Sequence, residues 1–220
     1  MSHWPGAGIK VCGVRTVEHA LVAAHAGATF IGMIFAPGRR RISPDLGANI
    51  SAALRQAGLH AKTVGVFVNE SAATINAVAA EAALDVVQLS GDETPALVTA
   101  VALPVFKAIR LAGTPEEQQW HSEAGAQPGR VRLLVDSHVA GSYGGAGVLA
   151  DWQQARALAA STPTLLAGGL RPENVSAAVA AVAPWGVDVS SGVETDGIKD
   201  SMKIIAFVAA ARQALGALHI

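Results

Sequence analysis

The chain has 220 residues, 51% of them apolar and 15% charged, with a mean hydropathy of +0.37. That length accommodates one large domain or two small ones, and that composition excludes a disordered or low-complexity chain. Sixteen basic against seventeen acidic side chains leave a net charge of −1, so no global field recruits nucleic acid or an anionic membrane, and any bound anion is held by a local site.

Cys12 is the one cysteine and cannot form an internal disulfide. No CxxC or His/Cys cluster points to structural zinc, and a reducing cytoplasm fits best. The opening Met1-Ser-His-Trp-Pro-Gly lacks the basic and apolar regions of a signal peptide, and residues 1–8 read as a flexible N-terminal extension. Apolar stretches such as 177–187 and 204–211 are interrupted by Pro184 or bounded by charge before the roughly 18 residues a membrane span needs.

Eight short β-branched runs follow in chain order, over residues 9–14, 29–35, 63–68, 85–89, 105–110, 131–136, 164–167 and 187–190. Most are followed by an Ala-rich segment whose larger apolar residues carry helical spacing. Thr16 and Ser71 stand as N-caps directly after the first and third runs. Pro172 falls early in a predicted helix whose Val175, Ala178, Val179 and Val182 share one face. Strands separated by helices imply a parallel sheet, and eight of them at intervals of about 25 residues predict a single-domain (β/α)8 TIM barrel spanning residues 1–220. A doubly wound open sheet is the alternative, although no G-x-G-x-x-G follows the first strand. No Pro/Gly/Ser linker divides the chain.

In such a barrel the chemistry lies at the C-terminal ends of the strands. Period-2 alternation in Ile9-Lys-Val-Cys-Gly puts Lys10 and Cys12 on the interior face and Ile9 and Val11 toward the helices. A lone cysteine is commonly just a small buried hydrophobe, but Cys12 stands at a strand's end. The sixth run ends in Asp136, either a structural cap or ion pair, or the proton-transfer partner of Cys12. Three glycine-rich turns, Tyr143-Gly-Gly-Ala-Gly147, Ala167-Gly-Gly-Leu170 and Ser190-Ser-Gly192, suit a phosphate, because glycine lets backbone N–H groups approach an anion. Arg39-Arg-Arg41, after the second run, is either solvated loop charge or a guanidinium clamp for a carboxylate. His19 and His25 are too far apart on one helix to share a metal.

These residues resemble the phosphoribosylanthranilate isomerase family of tryptophan biosynthesis. The resemblance runs from about Ile9 to Ala211. It rests on Lys10-Val-Cys-Gly-Val, Gly65-Val-Phe-Val-Asn69, Asp85-Val-Val-Gln-Leu, Gly91-Asp-Glu93, Phe106-Lys-Ala-Ile-Arg110, the Leu133–Ser137 strand, Gly144-Gly-Ala-Gly-Val-Leu-Ala-Asp-Trp152, Leu166-Ala-Gly-Gly-Leu-Arg-Pro-Glu-Asn-Val175, Gly186-Val-Asp-Val-Ser-Ser-Gly-Val-Glu194 and Lys199-Asp200.

The resemblance implies an Amadori rearrangement of N-(5-phosphoribosyl)anthranilate, a small phosphosugar substrate, with no cofactor and no metal. It implies Asp136 as general acid and Cys12 as general base. The surroundings of Cys12 should then favour the thiolate, and we read Lys10, on the same strand face, as a contributor to that. The resemblance places substrate on Lys10, Arg40, Ser90 and Asp188, and phosphate on Gly145, Gly147, Gly168, Gly169, Ser190, Ser191 and Gly192. Arg40 matches the family's carboxylate-binding arginine by its spacing to Ser43-Pro44, with Arg39 and Arg41 beside it. The chain departs from the family at Ser90, usually histidine, at Ala146, usually threonine, and at Ala150, usually phenylalanine. Another phosphosugar enzyme on the same barrel, or a non-catalytic phosphosugar-binding protein, are the rival readings. A monomer and a homodimer both fit.

Overall fold

A computed structural model describes residues 4–136 and 152–218. Eight strands, Gly8–Cys12 (β1), Phe30–Ile34 (β2), Lys62–Phe67 (β3), Val86–Leu89 (β4), Val105–Ile109 (β5), Val131–Val135 (β6), Thr164–Leu166 (β7) and Gly186–Val189 (β8), form a closed barrel in sequence order. Every neighbouring pair is parallel, and β8 closes on β1 in the register that sets Lys10 opposite Asp188. All eight predicted runs are strands, their ends displaced by no more than two residues. The open-sheet alternative is set aside by the β1–β8 pairing.

The helices are Val17–Ala26 (α1), Pro44–Gln56 (α2), Ala72–Glu81 (α3), Leu97–Ala100 (α4), Pro115–Ala126 (α5), Trp152–Ala159 (α6), Val175–Val182 (α7) and Ser201–Ala217 (α8). Thr16 caps α1 by accepting from the His19 N–H, and Ser71 caps α3 by accepting from that of Thr74. Ser43 does the same for α2, with Pro44 in the first turn, where a missing N–H costs nothing. Val175, Ala178, Val179 and Val182 are the buried face of α7. Pro172 lies in the turn before that helix rather than inside it. The Asn174 side chain makes that turn, accepting from the Arg171 N–H at 2.7 Å and donating to the Gly169 carbonyl at 3.0 Å.

Alternation along the strands divides the core into two layers. Ile9, Val11, Ile31, Met33 and Val87 pack outward against the helices. Phe30, Val64, Val86, Phe106, Leu134 and Leu165 fill the barrel itself. Trp4, expected in a flexible extension, is only 7% exposed and closes this inner cluster. Its ring centre lies 4.8 Å from Phe106 and 6.1 Å from Trp185, an apolar surface large enough to hold the chain that carries it.

Beyond β8 the chain makes a short 3-10 turn, Ser191–Val193, and a hairpin of two-residue strands, Glu194–Thr195 (β9) and Ile198–Lys199 (β10), before α8. Asp200 caps α8, accepting from the Met202 and Lys203 N–H groups. Among the described residues no helix is long and apolar enough to cross a membrane.

Candidate active site

The strands' C-terminal ends deliver the site. Cys12 ends β1, Asp136 follows β6, Gly168 and Gly169 follow β7, and Ser190, Ser191 and Gly192 follow β8. With Arg40, Asp188, Gln88 and Ile34 they line one recess of about 100 Å³. Ile34 and Arg40 also line a second recess of about 480 Å³, with Ala36, Pro37, Arg39, Val66, Val68, Asn69 and Ser90. The first is a narrow polar cleft under the glycine turns. The second is broader, with an apolar floor and guanidinium groups on its rim.

The glycine–serine rim depends on close backbone approach. A Cβ on Gly192 would lie 1.8 Å from the Leu170 carbonyl oxygen, so only glycine lets the β8 turn pack against the β7 turn. Gly168 and Gly169 have φ of 85° and 66°, folding the β7 turn back over the cleft. Gly145 and Gly147, expected to complete the phosphate cradle, lie outside the described residues, as do Ala146 and Ala150.

Lys10, expected to contact substrate, is instead fully buried beneath the cleft. Its Nζ lies 2.9 Å from Asp188 Oδ1, and it interacts electrostatically with Cys12. Burial works against its charge, but the Asp188 carboxylate and Cys12 outweigh that and hold the lysine above its ordinary value. The expected bias of Cys12 toward thiolate is also corrected. Burial pushes the thiol up, and Asp188 adds to the rise, while Lys10 and more weakly Lys199 act in the opposite sense.

Arg40 is held from one side. Its Nε donates to Glu194 Oε1 at 2.7 Å and its Nη2 to Glu194 Oε2 at 2.9 Å, a bidentate pair. Lys199 donates to Oε1 as well, at 2.9 Å, and exposed Arg39 reaches Oε2 at 3.0 Å. Burial alone would raise the Glu194 carboxyl, but hydrogen bonds from Arg40 and Lys199 pull it down to about 2. Of the three loop arginines, Arg40 lines both recesses and Arg39 only the larger.

A family model described as N-(5'phosphoribosyl)anthranilate (PRA) isomerase matches residues 9–210. The chain belongs to that family. The N-(5'-phosphoribosyl)anthranilate isomerase of Roseiflexus sp. (strain RS-1) is 54% identical over 211 residues, covering 94% of this chain and 98% of the relative. The crystal structure of phosphoribosyl anthranilate isomerase from Thermus thermophilus superposes with a TM-score of 0.79 at 35% identity, over 94% of this chain and 98% of that one. A phosphoribosyl anthranilate isomerase solved in complex with reduced 1-(o-carboxyphenylamino)-1-deoxyribulose 5-phosphate gives 0.76 at 32%, covering 94% and 99%.

Against the family's usual pattern, Ser90 stands where an imidazole is expected. Its hydroxyl accepts from Gln88 Nε2 at 3.0 Å, and the residue lines the larger recess. Gln88 lines the narrow cleft, a role not drawn from the sequence. The signal was available, since Gln88 shares the inward face of β4 with Val86, and a polar side chain on that face near a strand's end is conspicuous. Glu194 ends the Gly186–Glu194 motif, and nothing local in the sequence brings it to Arg40, 154 positions away. Among the described residues no group of three or more His, Cys, Asp or Glu side chains could hold a metal.

Proposed function

We infer that this chain catalyses the Amadori rearrangement of N-(5-phosphoribosyl)anthranilate to 1-(2-carboxyphenylamino)-1-deoxyribulose 5-phosphate in tryptophan biosynthesis, by general acid–base catalysis. The observation that carries this reading is the convergence of Cys12 and Asp136, from strands far apart in sequence, on one cleft that has a glycine–serine rim and an arginine at its edge. An isomerisation of this kind needs one proton delivered and one removed, and an acid and a base on one cavity wall supply both.

The phosphate rests on backbone N–H groups and hydroxyls of the rim formed by Gly168, Gly169, Ser190, Ser191 and Gly192, and the family resemblance assigns Gly145 and Gly147 to the same phosphate. The anthranilate ring occupies the larger recess against Ile34, Val66 and Val68, with its carboxylate on Arg40. Asp136 gives its proton to the furanose ring oxygen as the C1–O bond breaks, and the nitrogen lone pair forms the Schiff base. Cys12, as thiolate, removes the C2 proton, and the C–H electron pair moves through C1 to the iminium nitrogen, giving an enolamine. Tautomerisation of the enolamine yields the ketone. Lys10 stabilises the thiolate from below, and Asp188 holds Lys10 in place.

Fluorescence of freshly generated substrate, followed with purified protein and with the Cys12→Ser variant, tests this directly. Wild-type protein should consume the anthranilate signal, and the variant should lose at least about a hundredfold in kcat with KM little changed. Binding without turnover by the wild type would favour the phosphosugar-binding alternative.

A further inference from the structure

Glu194 touches neither recess directly, yet it is bonded to both ends of the site. Its carboxylate takes Nε and Nη2 of Arg40. Through Lys199 it is tied to the rim, because Lys199 Nζ donates to Glu194 Oε1 at 2.9 Å and to the Ser190 carbonyl at 2.8 Å. Arg40 and Ser190 also meet across Gly13, where a Cβ would stand 2.6 Å from Arg40 Cδ and 3.3 Å from Ser190 Oγ.

A guanidinium carries five N–H donors in a rigid plane. Glu194 takes the Nε–Nη2 edge of that plane, leaving Nη1 outside the pair on a side chain that lines both recesses. An unheld arginine on a surface loop would sample many rotamers and lose entropy on binding a carboxylate. The Glu194 clamp has already paid that cost.

We propose that Glu194 is a positioning residue for substrate recognition, aiming Arg40 at the substrate carboxylate and, through Lys199, fixing its distance from the phosphate rim. This inference rests on the proposed function and deepens it. Recognition is then of two anionic groups, a phosphate and an aromatic carboxylate, at a set separation, with Glu194 bonded directly to the arginine of the carboxylate end and only through Lys199 to the phosphate rim.

The test compares wild type, Glu194→Gln and Glu194→Asp on two substrates, the adduct of ribose 5-phosphate with anthranilate and the adduct with aniline, which lacks the carboxylate. Inorganic phosphate serves as competitive inhibitor. Glu194→Gln should raise KM for the anthranilate adduct roughly tenfold with kcat within about twofold, because a neutral amide has one acceptor oxygen and cannot take both Nε and Nη2 of Arg40. KM for the aniline adduct and inhibition by phosphate should stay within about twofold of wild type. Glu194→Asp, which keeps the charge one methylene short, should show a smaller loss with the same selectivity, and serves alone should the glutamine variant not fold. An unchanged KM for the anthranilate adduct, or an equal loss on both adducts, overturns the proposal and makes Glu194 a structural hub. Failure of the wild type itself to turn over the anthranilate adduct overturns the underlying reading instead, and this inference with it.

Discussion

The Cys12 thiol is balanced between opposed influences. Burial and the Asp188 carboxylate favour its protonated form, while the ammonium groups of Lys10 and Lys199 favour the thiolate. A base that starts mostly protonated gains competence as pH rises, so kcat/KM should climb on the alkaline side of neutrality and the limb should vanish in Cys12→Ser. Replacing Lys10 with Met removes the stronger of the two groups that lower the thiol's pKa and leaves Asp188 unopposed. The alkaline limb should therefore move to higher pH, with lower activity at neutrality; a pH–rate profile that stays in place would mean that Lys10 supports the barrel and not the base. Because the variant strands a buried carboxylate, it should also lose roughly 3–5 kcal/mol of stability in urea titration. The pairing of Lys10 and Cys12 on one face was legible in the sequence, since two-residue alternation requires it. Their third partner was not, because Asp188 reaches Lys10 only after β8 closes on β1 across 178 positions.

At the scale of elements, the site is a set of turns that fit one another more than a set of strands. The 1.8 Å approach between a Cβ on Gly192 and the Leu170 carbonyl means that Gly192→Ala must push the β8 turn off the β7 turn. The expected result is a rise of roughly tenfold or more in KM, a matching loss of inhibition by inorganic phosphate, and destabilisation of about 1–3 kcal/mol. Kinetics and thermal melting together check it, and normal phosphate inhibition in the variant would remove the β8 turn from the phosphate rim. The glycine-rich turns announced themselves in the sequence because strand-end glycine is expensive unless a backbone must come close. The hairpin of β9 and β10 gave no such signal. Its strands are two residues each, too short for any period, and its structure is held by Glu194 and Lys199, bonded to Arg40 and Ser190 in other loops, and by Arg15, which donates to the Gly197 carbonyl of its turn.

For the whole molecule, chemistry and stability occupy opposite ends of the barrel. The upper rim carries the charged cleft, while the inner layers below it hold Phe30, Phe106, Leu134 and Leu165, with Trp4 and Trp185 packed against them. Arg132 on β6 stacks its guanidinium 4.2 Å from the Trp185 ring and 5.4 Å from that of Trp4, and burial lowers its pKa to about 10. The eight-stranded pattern was readable because short β-branched runs recur between Ala-rich segments of helical spacing. The part played by Trp4 was not, because a tryptophan ahead of the first strand has no period to place it, and only closure of the barrel creates the aromatic floor it fills. That separation makes a prediction. Trp4→Ala should cost about 3–5 kcal/mol in urea unfolding, as expected for emptying a large buried aromatic site, while kcat and KM at 25 °C change by less than about twofold, because the strands that carry Cys12 and Asp136 remain paired. A cost below about 1 kcal/mol would mean that the ring lies on the barrel without closing it, and a large fall in kcat would mean that the floor and the rim are coupled through the strands between them.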